Sequence, residues 1–306
     1  MQRKKVGNWI RMYGLKNMVL RGLYTKLPLI PVDSTEVIRR MNWQMRVKKH
    51  LKQYIQIVSD DEKLEQTNPY KNTVWCLWFQ GIENAPEIVK VCCRSVKKYL
   101  NKANYNLIYL DEKNVFDYIK IPDYIIYKWR KGIIGNAFFS DICRVALLAE
   151  YGGIWIDATV LLTGELNEEI LNADLFFYQA SFLDMSVTGI SNWLIAAKNA
   201  GNGFLLSLRE SLYNFWKSKQ VVEDYFLFHL MVTELLTCND LKKKFDLMPY
   251  MSNTYPHLLG KNLNEEFDEK VFDHILRNSN IHKLSYKNIE ENKENSYYNY
   301  IINNYM

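Results

Sequence analysis

From Thr73 onward, short apolar runs alternate with helical patterns, an order typical of βα units. Residues 74–79 are apolar throughout and predict a buried strand that ends at Gly81. A helical pattern over 86–100 and a second apolar strand over 105–110 follow. This order predicts an α/β sheet, and ligands of such sheets bind beyond the carboxyl ends of the strands.

The longest apolar helical pattern covers 137–150 and stops at the pair Gly152–Gly153. Two glycines allow a tight turn from this helix into the next strand, 154–156, which delivers Asp157 to its carboxyl end. The remaining pattern predicts helices over 111–119, 123–131, 203–217 and 223–236, and strands over 175–179 and 193–197.

Two basic helical patterns precede the sheet. Prolines at 28 and 31 interrupt the first, and residues 33–36 form an N-cap signal for a second helix that runs to about Val58. At the other end, Tyr297–Ile302 predicts either a helix packed on the body or an aromatic contact with an interface. We therefore divide the chain into a basic helical segment (1–72), the main α/β domain (73–288) and a tail (289–306).

Composition excludes several classes of protein. Of 306 residues 48% are hydrophobic and 24% charged, values typical of a globular protein and unlike those of disordered or collagen-like chains. No apolar run reaches 18 residues, and Asn8, Arg11 and Asn17 interrupt the stretch that a signal peptide would need. We therefore expect a cytoplasmic protein.

Positive charge is concentrated at the N-terminus. Residues 1–53 carry thirteen Lys or Arg and two acidic residues, a local +11, whereas the whole chain carries +5. Trp9, Tyr13, Leu20 and Trp43 are interleaved with this charge, a mixture suited to the anionic inner face of the plasma membrane. An ordinary solvated surface explains the pattern equally well, and no zinc finger, RNP pattern or helix-turn-helix supports binding of nucleic acid.

The five cysteines predict neither a disulfide framework nor a zinc site. Their number is odd and no C-x-x-C spacing occurs. Cys92 and Cys93 are adjacent on a predicted helix and point to different faces, so we expect reduced, buried thiols.

The most informative residues for chemistry are Asp141, Arg144 and Asp157. Asp141 and Arg144 are three positions apart and share one helix face, a spacing that by itself most often forms a structural ion pair. The turn at Gly152–Gly153 brings Asp157 beside the same face. The resulting group of two carboxylates and one guanidinium suits the hydroxyls of a sugar and a diphosphate.

The run S-D-x-x-R at 140–144, then L-x-x-Y-G-G-I-x-x-D at 148–157, resembles glycosyltransferase family 32, in particular its bacterial capsular polysaccharide branch. The strand end at 78–81 and the helix at Pro86 fit the same pattern, and the resemblance covers about 74–163. It implies a GT-A nucleotide-sugar-binding sheet flanked by helices. It further implies retaining transfer of a hexose, galactose or glucose, from a UDP-sugar to a lipid-linked saccharide acceptor in capsular or surface polysaccharide synthesis.

The resemblance also implies roles for individual residues. Trp78 would stack on uracil, with Gln80 and Gly81 beside it, and Asp141 and Arg144 would hold hydroxyls of the donor sugar. Asp157 would be the first aspartate of the D-x-D element.

The third position of that element is Thr159, where the family commonly has a second Asp that ligates Mn²⁺ or Mg²⁺. A hydroxyl is a weaker ligand than a carboxylate. Either Asp157 binds the metal with diphosphate oxygens and a later residue, for which His257 is a candidate, or basic groups offset the charge of the leaving group. We favour the metal.

The C-terminal third is expected to supply the acceptor pocket. Asp224 and His229 are candidates for polar contacts there, although a lone helix histidine is more often simply satisfied within the fold. The competing hypothesis is a non-catalytic membrane or nucleic-acid adaptor, in which the same motifs are structural.

Overall fold

The computed structural model describes residues 12–17, 19–20, 35–100, 105–180 and 187–305. Most of the first expected basic helix, the prolines at 28 and 31 and the N-cap signal at 33–34 lie outside these ranges.

The predicted α/β fold is confirmed. In chain order the strands are β1 (Thr73–Leu77), β2 (Asn106–Leu110), β3 (Gly153–Ile156), β4 (Val160–Leu162), β5 (Phe176–Gln179), β6 (Ile190–Ala197) and β7 (Ile281–Lys283). Five of them form the central sheet in the order β2-β1-β3-β6-β5. β1 pairs in parallel with β2 and β3, whereas β6 pairs antiparallel with β3 and β5. Four strands of this sheet therefore point one way and β6 points the other.

Helices pack on both faces of this sheet. The side chains of β1 point alternately to the two faces, and they belong to different hydrophobic clusters. Trp75 and Leu77 pack with one set of helices, and Cys76 packs with another. The described helices are α1 (Thr35–Leu51), α2 (Glu62–Gln66), α3 (Glu87–Leu100), α4 (Val115–Tyr118), α5 (Asp123–Arg130), α6 (Asn136–Tyr151), α7 (Glu168–Leu171), α8 (Gly203–Ser218), α9 (Leu227–Leu235), α10 (Asn239–Asp246), α11 (Thr254–Lys261), α12 (Glu269–Asn278) and α13 (Tyr297–Asn304).

The junction between α6 and β3 forms where the two glycines predict it. Gly152 has φ 65° and its N–H donates to the carbonyl of Leu148, which closes the helix. Gly153 has φ 86°, and a Cβ built there would lie 2.1 Å from the carbonyl oxygen of Thr73 on β1. Only glycine allows β3 to approach β1 this closely directly after a helix.

A second, two-stranded sheet lies beside the carboxyl end of β3. β4 pairs antiparallel with β7, with Val160 opposite Lys283. The N–H of Leu284 also donates to the carbonyl of Thr159, at 2.9 Å. This pairing joins segments that are far apart in sequence and brings the C-terminal third next to Asp157.

The segments before and after the expected α/β domain share its hydrophobic clusters. Trp43, Val47 and Leu51 of α1 are buried and join the cluster that contains α9. α13 packs on the body of the molecule, with Tyr297 and Ile301 buried, which decides between the two alternatives for the tail. Within the described ranges, neither end of the chain therefore has a hydrophobic core of its own.

Two further observations concern composition. Cys76, Cys92, Cys93 and Cys143 are buried free thiols, as predicted, whereas Cys238 is only partly buried. Among the described helices, none combines the length and the apolar character that crossing a bilayer requires.

Candidate active site

A cavity of about 890 Å³ opens at the carboxyl ends of β1 and β3. Its size is within the range of small-molecule sites in proteins. Among the described residues, three cationic side chains and two carboxylates line it: Arg144, Lys283, Lys287, Asp141 and Asp157.

Arg144 of α6 is the centre of the charged group. Its side chain is only 6% exposed, and its Nη2 lies 3.3 Å from Asp141 Oδ1 and 3.5 Å from Asp157 Oδ1. Its Nη1 donates to the backbone carbonyl of Asn192 on β6, and the guanidinium carbon lies 4.9 Å from the centre of the Trp155 ring. Arg144 therefore joins two carboxylates rather than forming the simple D-x-x-R pair.

Asp157 follows β3, and Arg144 is one of three groups that stabilise its charge. Trp155 Nε1 donates to its Oδ1 at 2.9 Å, and Lys283 Nζ donates to its Oδ2 at 3.0 Å. Burial alone would raise the pKa of Asp157, but Lys283 and Arg144 outweigh it and the pKa lies below its ordinary value. The Asp157 carboxylate is therefore charged at neutral pH.

Asp141 differs from Asp157 in the direction of its pKa shift. Burial raises the pKa of Asp141 to about 6, although Arg144 acts in the opposite direction. The nearby charge of Asp157 adds to the increase, whereas Asn192 Nδ2, which donates to Asp141 Oδ1 at 2.8 Å, opposes it. Two carboxylates with separated pKa values are typical of functional sites.

Residues at the end of β1 form the other wall. The strand ends at Leu77, two residues earlier than the sequence pattern predicts, and Trp78 and Gln80 line the cavity beyond it. Trp78 contacts Tyr286 edge-on, with 5.1 Å between ring centres. Gly81 does not line the cavity; it has φ 79° and its N–H donates to the Trp78 carbonyl, so it shapes the turn.

The residues expected at an acceptor pocket separate in the structure. α9 begins at Leu227, so Asp224 precedes the helix; its side chain is buried outside the cavity lining and accepts the Phe226 N–H at 2.9 Å. His229 does line the cavity, and its buried Nδ1 has no hydrogen-bond partner among the described residues. Burial lowers the pKa of His229 to about 3 and keeps the ring neutral.

The residues expected to hold a metal do not fit a divalent cation in this arrangement. Lys283 Nζ donates to both Asp157 and Thr159 and so joins the two expected ligands. His257 lines the cavity, and its Nδ1 donates to the backbone carbonyl of Asn253 at 2.6 Å, which leaves the lone pair of Nε2 as its one possible metal ligand, while Lys283 contacts the two oxygens that would complete the site. Within the described part of the chain, no group of three or more His, Cys, Asp or Glu is arranged for a metal.

Lys283, Tyr286 and Lys287 are among the site residues that the sequence analysis missed. They belong to the run K-L-S-Y-K at 283–287, directly after β7. Two lysines four positions apart, with a tyrosine before the second, are the signal available in the sequence. That signal does not show that β7 pairs with β4, which is what places the run at the cavity.

Comparison with known proteins gives one family. The profile of the family described as "Capsular polysaccharide synthesis protein" matches residues 31–301. No curated protein matches the chain.

Two solved structures resemble parts of it. One, titled "PaToxG Glycosyltransferase", is 15% identical in sequence. The match covers 67% of this chain and 84% of the chain in that structure, with a TM-score of 0.38. The other, the structure of a transferase carrying two cysteine-to-serine substitutions, is 12% identical, covers 64% and 94%, and gives 0.35. At TM-scores below 0.5, neither likeness bears on function.

Proposed function

Because the chain belongs to the capsular polysaccharide synthesis family, we propose that it is a glycosyltransferase that moves a hexose, galactose or glucose, from a UDP-sugar to a lipid-linked saccharide acceptor. The observation that carries this proposal is the meeting of Asp141, Arg144 and Asp157 in one cavity at the carboxyl ends of two parallel strands. Carboxylates accept hydrogen bonds from sugar hydroxyls, and a guanidinium donates to hydroxyl and phosphate oxygens. Such a cavity suits a molecule that carries both.

The uridine end of the donor is assigned to the wall formed by Trp78 and Gln80. Trp78 is partly exposed and lines the cavity, and its ring contacts Tyr286 in a T-shaped arrangement rather than a stacked one. An aromatic face available at a strand end is a platform for a base. The amide of Gln80 is a donor and acceptor for the edge of that base.

The sugar and diphosphate are assigned to the charged group. In the transfer, the bond between C1 of the sugar and the phosphate oxygen breaks, and its electron pair remains on the leaving phosphate. The acceptor hydroxyl oxygen forms the new bond to C1 and passes its proton to that phosphate. A retaining reaction of this kind needs positioning and electrostatic stabilisation more than a strong base.

The acceptor side of the cavity is assigned to His229. His229 lines the cavity, and its ring is neutral, so one ring nitrogen is a donor and the other an acceptor, which suits a hydroxyl or amide of an acceptor saccharide. Asp224 is left out of this proposal because its carboxylate is used by the local turn.

We place the reaction at the cytoplasmic face of the plasma membrane. Along α1, the residues Ile38, Met45 and Lys49 fall on one helical face and are exposed. Apolar and basic groups side by side suit the headgroup region of an anionic bilayer, where a lipid-linked acceptor resides.

Binding and turnover test the proposed function. We expect UDP, and not ADP, to raise the melting temperature, and one UDP-hexose of a panel to be hydrolysed slowly without acceptor. Asp157→Asn should abolish this hydrolysis while the far-ultraviolet circular dichroism stays unchanged. Equal shifts with UDP and ADP, together with no hydrolysis of any donor, would instead support the non-catalytic adaptor.

A further inference from the structure

Lys283 occupies the place where a cation would join Asp157 to Thr159. Its Nζ lies 3.0 Å from Asp157 Oδ2 and donates to Thr159 Oγ1. The backbone fixes this position, because Lys283 is opposite Val160 in the β4–β7 pair and the next N–H bonds to the Thr159 carbonyl. The ammonium is therefore held by two elements that are far apart in sequence.

Mg²⁺ requires oxygen ligands at about 2.0–2.1 Å in octahedral geometry, and carboxylates are its usual protein ligands. Here the third position of the D-x-D element is a neutral hydroxyl, and the single carboxylate already contacts Lys283 and Arg144. We propose that Lys283 replaces the divalent metal and that its ammonium, with Arg144, binds the diphosphate of the donor directly. This inference rests on the proposed function, whose leaving group it concerns.

The number of donors on Lys283 fits this role. An ammonium has three N–H donors, and Asp157 and Thr159 use two of them. The side chain is 20% exposed and lines the cavity, so the third donor is available to a phosphate oxygen. Asp157 then acts by holding the ammonium in position rather than by ligating a metal.

The positions of Lys283 and Arg144 also suit the negative charge that develops on the leaving phosphate during transfer. When the C1–O bond breaks, the leaving phosphate gains negative charge at the electron pair it retains. Lys283 and Arg144 both contact Asp157, each through a different carboxylate oxygen, and stabilise that charge without a change of ligands. Lys287, the third cation of the cavity, lies four residues further on.

The test is calorimetric binding of UDP and of inorganic pyrophosphate to the full chain, in EDTA and in Mn²⁺. We expect wild-type protein to bind both ligands in EDTA with affinities within about twofold of those in Mn²⁺. Lys283→Met should weaken both about 10- to 100-fold, the range for loss of a charge-assisted hydrogen bond. Lys283→Arg should stay within about threefold of wild type, because it keeps the charge.

The matched control is Lys270→Met, which removes an exposed lysine of α12 outside the cavity and should leave binding unchanged. Binding that disappears in EDTA, or a Lys283→Met protein that melts like wild type and binds pyrophosphate equally well, would overturn the proposal. If pyrophosphate binding depends on Lys283 but UDP binds no more tightly than pyrophosphate, the role of Lys283 in binding diphosphate is supported and the assignment of UDP as the nucleotide is contradicted. The two ligands thus separate the failure of this inference from that of the proposed function.

Discussion

At the scale of single residues, a substitution of Trp78 tests the proposal that the base of UDP stacks on this ring. Trp78→Ala removes the aromatic platform at the end of β1 and should cost about 1–3 kcal/mol of UDP binding, the range for one base stacked on an aromatic ring. Isothermal titration measures this loss. Tyr127→Ala, which removes an exposed aromatic ring outside the cavity, is the control and should bind UDP like wild type. An unchanged affinity in Trp78→Ala would contradict the assignment.

Asp141 gives a prediction about stability and pH. Its pKa is raised from 3.8 to about 6 in the folded protein, so folding favours the protonated carboxyl. The resulting contribution to the free energy of unfolding is present in full below pH 3.8 and is lost as the pH rises through about 6. Asp141→Asn cannot ionise and escapes this loss, which is about 3 kcal/mol. Relative to wild type, the variant should therefore gain free energy of unfolding between about pH 4 and pH 7.5.

Urea unfolding at several pH values measures that difference. Effects of Asp141→Asn that do not depend on pH cancel when the two proteins are compared across the range. Curves for the two proteins that stay parallel over the whole range would show that Asp141 titrates normally.

At the scale of elements, the α6–β3 junction is the part of the fold on which the site depends. Gly153→Ala introduces a Cβ at a positive φ, 2.1 Å from the Thr73 carbonyl oxygen. Strain and overlap each cost about 1–3 kcal/mol, so the variant should lose roughly 2–6 kcal/mol of unfolding free energy. Gly189→Ala is the matched control, because nothing lies within 4 Å of its Cβ and its φ is not positive. Denaturant unfolding that is equal in the two variants would disprove the argument.

The α6–β3 unit also shows what the sequence reveals. Helix, turn and strand are adjacent in the chain, so periodicity and two glycines suffice to predict that Asp157 emerges beside Asp141 and Arg144. β7 is only three residues long, and its partner β4 lies far earlier in the chain. Periodicity within one segment carries no information about such a pairing, and for this reason Lys283 was not predicted.

The start of α9 shows a second limit. The helical pattern over 223–236 places Asp224 and His229 on one helix, but in the structure the helix begins at Leu227. Asp224 accepts the N–H of Phe226 in the turn before the helix, a local bond that competes with helix formation. Only His229 therefore reaches the cavity.

At the scale of the whole molecule, α1 connects the proposed membrane contact to the body of the enzyme. Trp43, Val47 and Leu51 are buried in the cluster that includes α9, and α9 carries His229. Deleting the N-terminal segment would therefore open this cluster, so membrane binding is better tested by substitutions on the exposed face of α1. Met45 is 52% exposed there, and Lys49 lies one turn further along.

We expect the full chain to float with vesicles that contain anionic lipid, and to float less as salt rises, because the Debye length falls from about 10 Å at 0.1 M to about 3 Å at 1 M. Met45→Glu/Lys49→Glu should reduce flotation and transfer to a lipid-linked acceptor while UDP-sugar hydrolysis in solution is retained. Lys270→Glu/Val271→Glu makes the same change of charge and hydrophobicity on the exposed side of α12 and is the matched control. Equal flotation with neutral and anionic vesicles, or an equal loss of flotation in both double variants, would contradict the membrane contact and favour an ordinary solvated surface for α1.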